Sequence, residues 1–185
     1  RWRIFVYFSC LAVGYMFVEM VLIQKLTLYV AAPGYATAVV LSGMLVFSGL
    51  GAGFSARFSD SPWRGIVPAV ATIGGLTLLY SLALTPLLLA TISWGEVAKV
   101  AFSIALIAPL AFVLGMPFPL GMVSVTHLSG EGSAGWGWAV NGAVSVVGIV
   151  LAQALAVEFG FPAVLWLVIG VYALALVVFP RRSPA

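Results

Sequence analysis

Charge is nearly missing from this sequence: eight basic and five acidic side chains are spread over 185 residues, and 63% of the chain is hydrophobic. A soluble domain gives roughly a quarter of its residues to charge, because its surface must be wetted. Hydrocarbon removes that requirement, so the composition predicts an all-α polytopic membrane bundle, organised as a single domain over residues 1–185. A net charge of +3 does not make nucleic acid a partner, because the basic residues stand singly at the ends of apolar runs and form no patch. The predicted surroundings are the lipid bilayer of a bacterial cytoplasmic (inner) membrane.

A hydrocarbon core about 30 Å thick takes roughly 20 apolar residues of helix to cross. Six segments reach that length, with approximate bounds Ile4–Val30, Tyr35–Ala56, Gly65–Ala90, Gly95–Leu114, Trp136–Glu158 and Pro162–Phe179. The first is too long for a signal peptide and carries Glu19. With Arg1 rather than Met at its start, the chain reads as a segment of a longer polypeptide or one trimmed at its start. Ala31-Ala32-Pro33-Gly34 closes the first segment, and Ser59-Asp60-Ser61-Pro62 forms a polar turn after the second. No stretch alternates polar and apolar residues as a membrane barrel would, so backbone groups must be satisfied within helices. Six crossings would put Arg1, Arg3, Arg57, Arg64, Arg181 and Arg182 on one side and leave Lys25 and Lys99 toward the other. By the positive-inside rule that predicts N-in, C-in, and Trp63, Trp94, Trp136 and Trp138 fall near segment ends as an aromatic belt.

Three features interrupt the apolar pattern. Pro117 and Pro119 flank Phe118 in Gly115-Met116-Pro117-Phe118-Pro119-Leu120-Gly121; they remove two backbone donors, so the helix must break. A broken helix lining a site is one reading. A rigid terminus leading into a His127–Gly135 loop is the other, favoured by the break's place near the predicted cytoplasmic end. Glu19 lies mid-segment, where a carboxylate is costly and faces the protein interior. Tyr15 stands one turn away as a hydrogen-bond partner, while Gln24 and Lys25 lie further on. Glu19 reads either as a proton or cation site or as a structural anchor between helices. Asn141, Ser145, Gly148 and Ala152 recur at helical spacing as a small, polar face that admits a close neighbour or lines a path. These five residues (Tyr15, Glu19, Gln24, Asn141 and Ser145) form the candidate intramembrane polar site.

Gly49, Gly51 and Gly53 form a small-residue face with a G-x-x-x-G pair, which predicts close helix packing rather than a phosphate loop, since no strand precedes it. Gly148 is a further packing position. Cys10 is a small packing residue, and His127, the only histidine, has no second histidine to share a metal with. Glu96 suits a helix start, with Lys99 in reach to neutralise it. Glu131 stands near His127 without a further reading. No nucleophile–base set, cofactor box or metal-ligand set is present, so no catalytic residue and no cofactor is expected.

Two blocks resemble the C-terminal membrane region of bacterial spermidine-synthase-like polytopic proteins. The first runs Gly14-Tyr15-Met16-Phe17-Val18-Glu19-Met20-Val21-Leu22-Ile23-Gln24-Lys25, through Pro33-Gly34-Tyr35-Ala36, to Phe47-Ser48-Gly49-Leu50-Gly51. The second joins Gly115–Gly121 to Trp136-Gly137-Trp138-Ala139-Val140-Asn141-Gly142-Ala143 and Ser145-Val146. The resemblance implies a transporter-like membrane part that elsewhere is fused to an aminopropyltransferase-like soluble domain. No part of this chain corresponds to that domain, and Ala32-Pro33-Gly34 stands where many members have Gly-His-Pro. Three functions follow as expectations. The leading one is a non-catalytic membrane module that anchors or scaffolds a soluble enzyme domain or other membrane subunits. The second is a transporter or half-transporter for a small solute, a cation among the options. The third is the membrane part of a spermidine-synthase-like enzyme.

Overall fold

The computed structural model describes residues 2–129 and 132–181, and these fold almost entirely into helices. In order they are α1 (Trp2–Val30), α2 (Pro33–Ser55), a 3-10 turn (Ala56–Phe58), α3 (Pro62–Ala90), α4 (Glu96–Leu114), α5 (Pro117–Ser129) and α6 (Gly132–Val178). Pro33, Pro62 and Pro117 each open a helix, the position where a missing N–H costs nothing. The α1–α2 turn places its left-handed residue at Ala31, with φ 57°, whereas Gly34 is already helical. Five helical stretches are long and apolar enough to cross a membrane: Trp2–Val30, Pro33–Phe58, Pro62–Ala90, Glu96–Leu128 and Ala134–Val178. This is the make-up of a multi-pass membrane protein. The outward side chains agree, since Leu45, Val150 and Val177 are 74%, 67% and 70% exposed and a wetted surface would not carry them in such number.

The last two predicted segments are joined within α6, whose helix is interrupted at Gly160 (φ 81°, ψ 164°). That conformation favours glycine because it has no Cβ to clash. The chain reverses there. Before Gly160, Gly137 lies against Phe8 and Gly148 against Val13 and Met16 of α1, so the two helices ascend together. After it, Phe161 lies under the Lys25 ammonium, Tyr172 packs on Gly14 and the Val177 carbonyl accepts from Arg3. Residues 132–159 and 161–178 thus form a hairpin laid along α1, which is the most deeply buried helix.

The ends of the bundle differ in charge. Arg181 stacks over Trp63, Trp63 meets Phe179 and Phe179 meets Tyr7, while Gly65 abuts Phe58. Those contacts gather Arg3, Arg57, Arg64 and Arg181 at one end. At the other, Lys25 donates to Thr85 at 3.0 Å and Tyr29 to the Thr91 hydroxyl at 2.8 Å. Lys99 donates to the Tyr29 carbonyl and lies over its ring, which is a partner different from the expected Glu96. Arg1, Arg182 and Glu131 lie outside the described residues.

Residues 117–129, expected as a rigid terminus and loop, form α5, and His127 sits in its last turn. Two prolines at the first and third positions stop α4 but do not oppose a new helix, since the first turn of a helix needs no N–H donors. The close approach of α2 to α4 occurs at Gly51, where a Cβ would collide with the Phe112 carbonyl, and at Gly115, where it would collide with the Ser48 carbonyl. Gly49 and Gly53 meet nothing within 4 Å, so the tight contact falls between the members of the G-x-x-x-G pair. Overpacking a fitted contact costs about 1–3 kcal/mol. Gly51→Val is therefore expected to lower the thermal unfolding midpoint in detergent sharply, and Gly49→Ala to leave it within error; equal effects would refute this packing.

Candidate functional site

The break between α4 and α5 lies inside the bundle, in its arginine-end half: Leu120 meets Gly65, and Gly121 meets the Tyr7 ring that packs on Phe179. Gly115 touches the backbone of Ser48, and the Ser48 hydroxyl is 3.4 Å from that of Tyr15, which stands at the middle of α1. The break thus stays toward the arginine end, as expected, and the helix resumes as α5, so that α4 and α5 together make one apolar stretch of 33 residues. Tyr7 anchors the start of α5 by donating to the Pro117 carbonyl at 2.6 Å, from a fully buried position. Phe118 wedges between Phe8 and Trp138, with ring centroids 5.3 Å and 4.7 Å away. At this level irregular backbone persists only where protein covers it or a cavity meets it.

A cavity of about 330 Å³ meets it. Its floor is α1, through Leu11, Ala12, Tyr15 and Met16. One wall is α2, through Leu45, Ser48, Gly49 and Ala52. The other is α6, through Asn141, Ser145 and, from beyond the reversal, Tyr172. Leu114, Gly115, Phe118 and Pro119 close its end. Three of the five predicted polar residues, Tyr15, Asn141 and Ser145, therefore share one cavity with the predicted helix break.

Glu19 is not among the lining residues. It is half-buried one turn beyond Tyr15 on the same face of α1, and the Tyr15 hydroxyl is paired with Ser48 instead. Gln24 lies further along α1, half-buried and away from the cavity. Gly148 faces Met16 and Val13 one turn beyond Ser145, so the small-residue face seats α6 on α1 and ends at the cavity. Ser48 and Tyr172 are lining residues that the sequence reading missed. Ser48 is three residues from Gly51 in a helix read only for packing, and Tyr172 enters from the far side of the Gly160 reversal, which no local pattern connects to Asn141.

A second cleft, of about 460 Å³, opens at the arginine end between Asp60, Trp63, Ser124, His127 and Arg181. No group of three or more metal-ligating side chains occurs among the described residues. No protein-family model matches the chain, and no curated protein or solved structure is significantly similar to it.

The geometry gives a direct labelling test. With Cys10 replaced by Ala, a cysteine at Ser145 is expected to react with a small membrane-permeant thiol reagent. One at the fully buried Ser103 is expected to stay unmodified until the protein is denatured. Equal protection at both positions would show the cavity to be closed.

Proposed function

We propose that this chain is a transporter or half-transporter module for a small solute, with the cavity at the α4–α5 break as the place where the solute is held. The observation that carries the reading is the coincidence of three things at one depth: a helix interrupted by Pro117 and Pro119, a cavity against the interruption, and the polar groups of Tyr15, Ser48, Asn141 and Ser145 around it. A helix broken within hydrocarbon costs unpaired backbone groups, and transporters use such breaks to bind solutes. A module serving only as an anchor gains nothing from that arrangement, which is why the transport reading displaces the scaffold reading favoured by the sequence alone. The small-solute range of cavities begins near 300 Å³, and this one falls within it.

The reading includes six crossings, the last two formed by the hairpin around Gly160, with the arginine end in the cytoplasm of a bacterial inner membrane. Support comes from the segregation of Arg3, Arg57, Arg64 and Arg181 to one end and from the reversal at Gly160. Single cysteines at Trp94 and Glu158 should then react with an impermeant reagent added outside whole cells, and one at Arg64 should not; labelling at Arg64 from outside overturns the topology. The resemblance to spermidine-synthase-like membrane regions suggests a soluble enzyme domain as partner, in which case the module would supply or remove that enzyme's small reactants.

Transport itself is tested in liposomes carrying the purified chain. A labelled amine, sugar, amino acid and carboxylate are offered in turn, and binding is measured alongside uptake. At least one class is expected to bind or enter above empty liposomes, and Ser145→Trp, which fills the cavity, should return it to background while the protein stays folded. Folded protein that neither binds nor moves any of the four restores the scaffold reading.

A further inference from the structure

The unpaired backbone groups at the α4–α5 break decide the sign of what can sit beside them. At the end of α4, the Gly115 N–H is bonded to the carbonyls of Ala111 and Phe112 at 3.1 and 3.3 Å, and the Met116 N–H to that of Val113 at 3.2 Å. The next carbonyls are those of Leu114 and Gly115. Their helical donors would be the N–H groups of residues 117, 118 and 119, and two of these are prolines with no N–H. Among the described residues no hydrogen bond reaches either carbonyl.

The start of α5 shows the opposite depletion. A helix N-terminus ordinarily presents four free N–H groups and so attracts anions. Here Pro117 and Pro119 have none, and Leu120 N–H is bonded to the Met116 carbonyl at 3.3 Å, which leaves Phe118 as the one free donor of the first turn among the described residues. The same two prolines therefore expose acceptors on one side of the break and delete donors on the other. What remains is the negative end of the α4 dipole without the positive end of an α5 dipole strong enough to match it.

The hydroxyls around the cavity repeat the bias, and the Asn141 amide adds an acceptor oxygen beside its N–H donors. The Ser145 hydroxyl spends its proton on the Asn141 carbonyl at 2.8 Å, so toward the cavity it can only accept. Ser48 donates to the Leu45 carbonyl at 3.4 Å, so Tyr15 donates to the Ser48 oxygen at 3.4 Å and both protons are used. Among the described residues no Lys or Arg lines the space, and Tyr15, Phe118 and Tyr172 do, aromatic rings of the kind that attract a cation. The cavity of about 330 Å³ is far larger than the roughly 30 Å³ that one water occupies, so a bare metal ion would leave it mostly empty.

We infer that the cavity binds a small organic ammonium ion, its N–H groups donating to the carbonyls of Leu114 and Gly115 and its alkyl part lying against the aromatic rings. This rests on the reading of the cavity as a solute site and names the class of solute. Glu19 stands one turn beyond Tyr15 on the same helix face, outside the cavity.

The test is calorimetric titration of the chain in nanodiscs with butylammonium, butanol and butyrate at matched ionic strength. Butylammonium is expected to bind, and the neutral and anionic analogues are not. Pro119→Ala returns an N–H to the Gly115 carbonyl and is expected to weaken butylammonium binding about tenfold, since that acceptor is then occupied. If Pro119→Ala does not fold, Pro117→Ala, which returns a donor within reach of Leu114, is read in its place. Butanol or butyrate binding in preference would overturn the ammonium inference while leaving a solute site. Failure of all three to bind would also overturn the ammonium inference, and the liposome assay with the four solute classes then decides whether a solute site remains. Unchanged butylammonium affinity in the proline variants would overturn the role of the two carbonyls.

Discussion

The α2–α4 crossing, backbone against backbone at Gly51–Phe112 and Ser48–Gly115, sets the geometry from which the rest of the site follows. In hydrocarbon, helices gain no hydrophobic energy from meeting each other, so association depends on close packing and hydrogen bonds. Two glycines let the main chains touch, and that contact holds the end of α4 at the depth where α5 must start. Had either position carried a side chain, α4 would stand off, and the break would lose the wall that Ser48 and Gly49 give its cavity. Tyr7 completes the arrangement from the other side by holding the Pro117 carbonyl.

The remaining cross-links are polar and sparse, as expected of a bundle in lipid. Tyr29 to Thr91, Lys25 to Thr85, Tyr80 to the Leu106 carbonyl and Ser124 to the Pro180 carbonyl tie helices at different levels. Such bonds contribute roughly 0.6–2 kcal/mol each inside a membrane protein. None of them crosses the cleft between α2 and the first half of α6, and that is where the cavity opens.

Much of the fold is legible in the sequence because hydrocarbon enforces a simple rule of long apolar helices punctuated by proline, glycine and charge. The apolar runs and the break after Leu114 can be placed from residue types alone, whereas Pro33 and Pro62, read as turn residues before segments starting near Tyr35 and Gly65, open α2 and α3. The packing of that break against α2 cannot be placed that way, because it depends on Gly115 meeting Ser48, a contact between helices far apart in sequence. Counting apolar residues ends a span after about twenty, and α4 with its 19 residues looks finished, so the residues after it read as a rigid terminus leading into the His127–Gly135 loop. Tyr15, Asn141 and Ser145 stand out as polar residues in apolar runs, and the structure gathers them around one space. Glu19 stands out for the same reason and points along the same helix face, yet the cavity stops one turn short of it. Tyr172 gives no signal, since a tyrosine among apolar residues looks like any core aromatic.

The hairpin laid along α1 has a consequence for assembly. α1 leaves the ribosome well before the surfaces that cover it, which belong to residues 132–178. Until they arrive, a helix carrying Glu19, Gln24 and Lys25 must reside in lipid beside only its early neighbours. Contacts so distant in sequence form slowly and leave intermediates exposed. Biogenesis of this protein is thus a problem of waiting: the insertion machinery has to shelter α1 until the reversal at Gly160 brings its cover back.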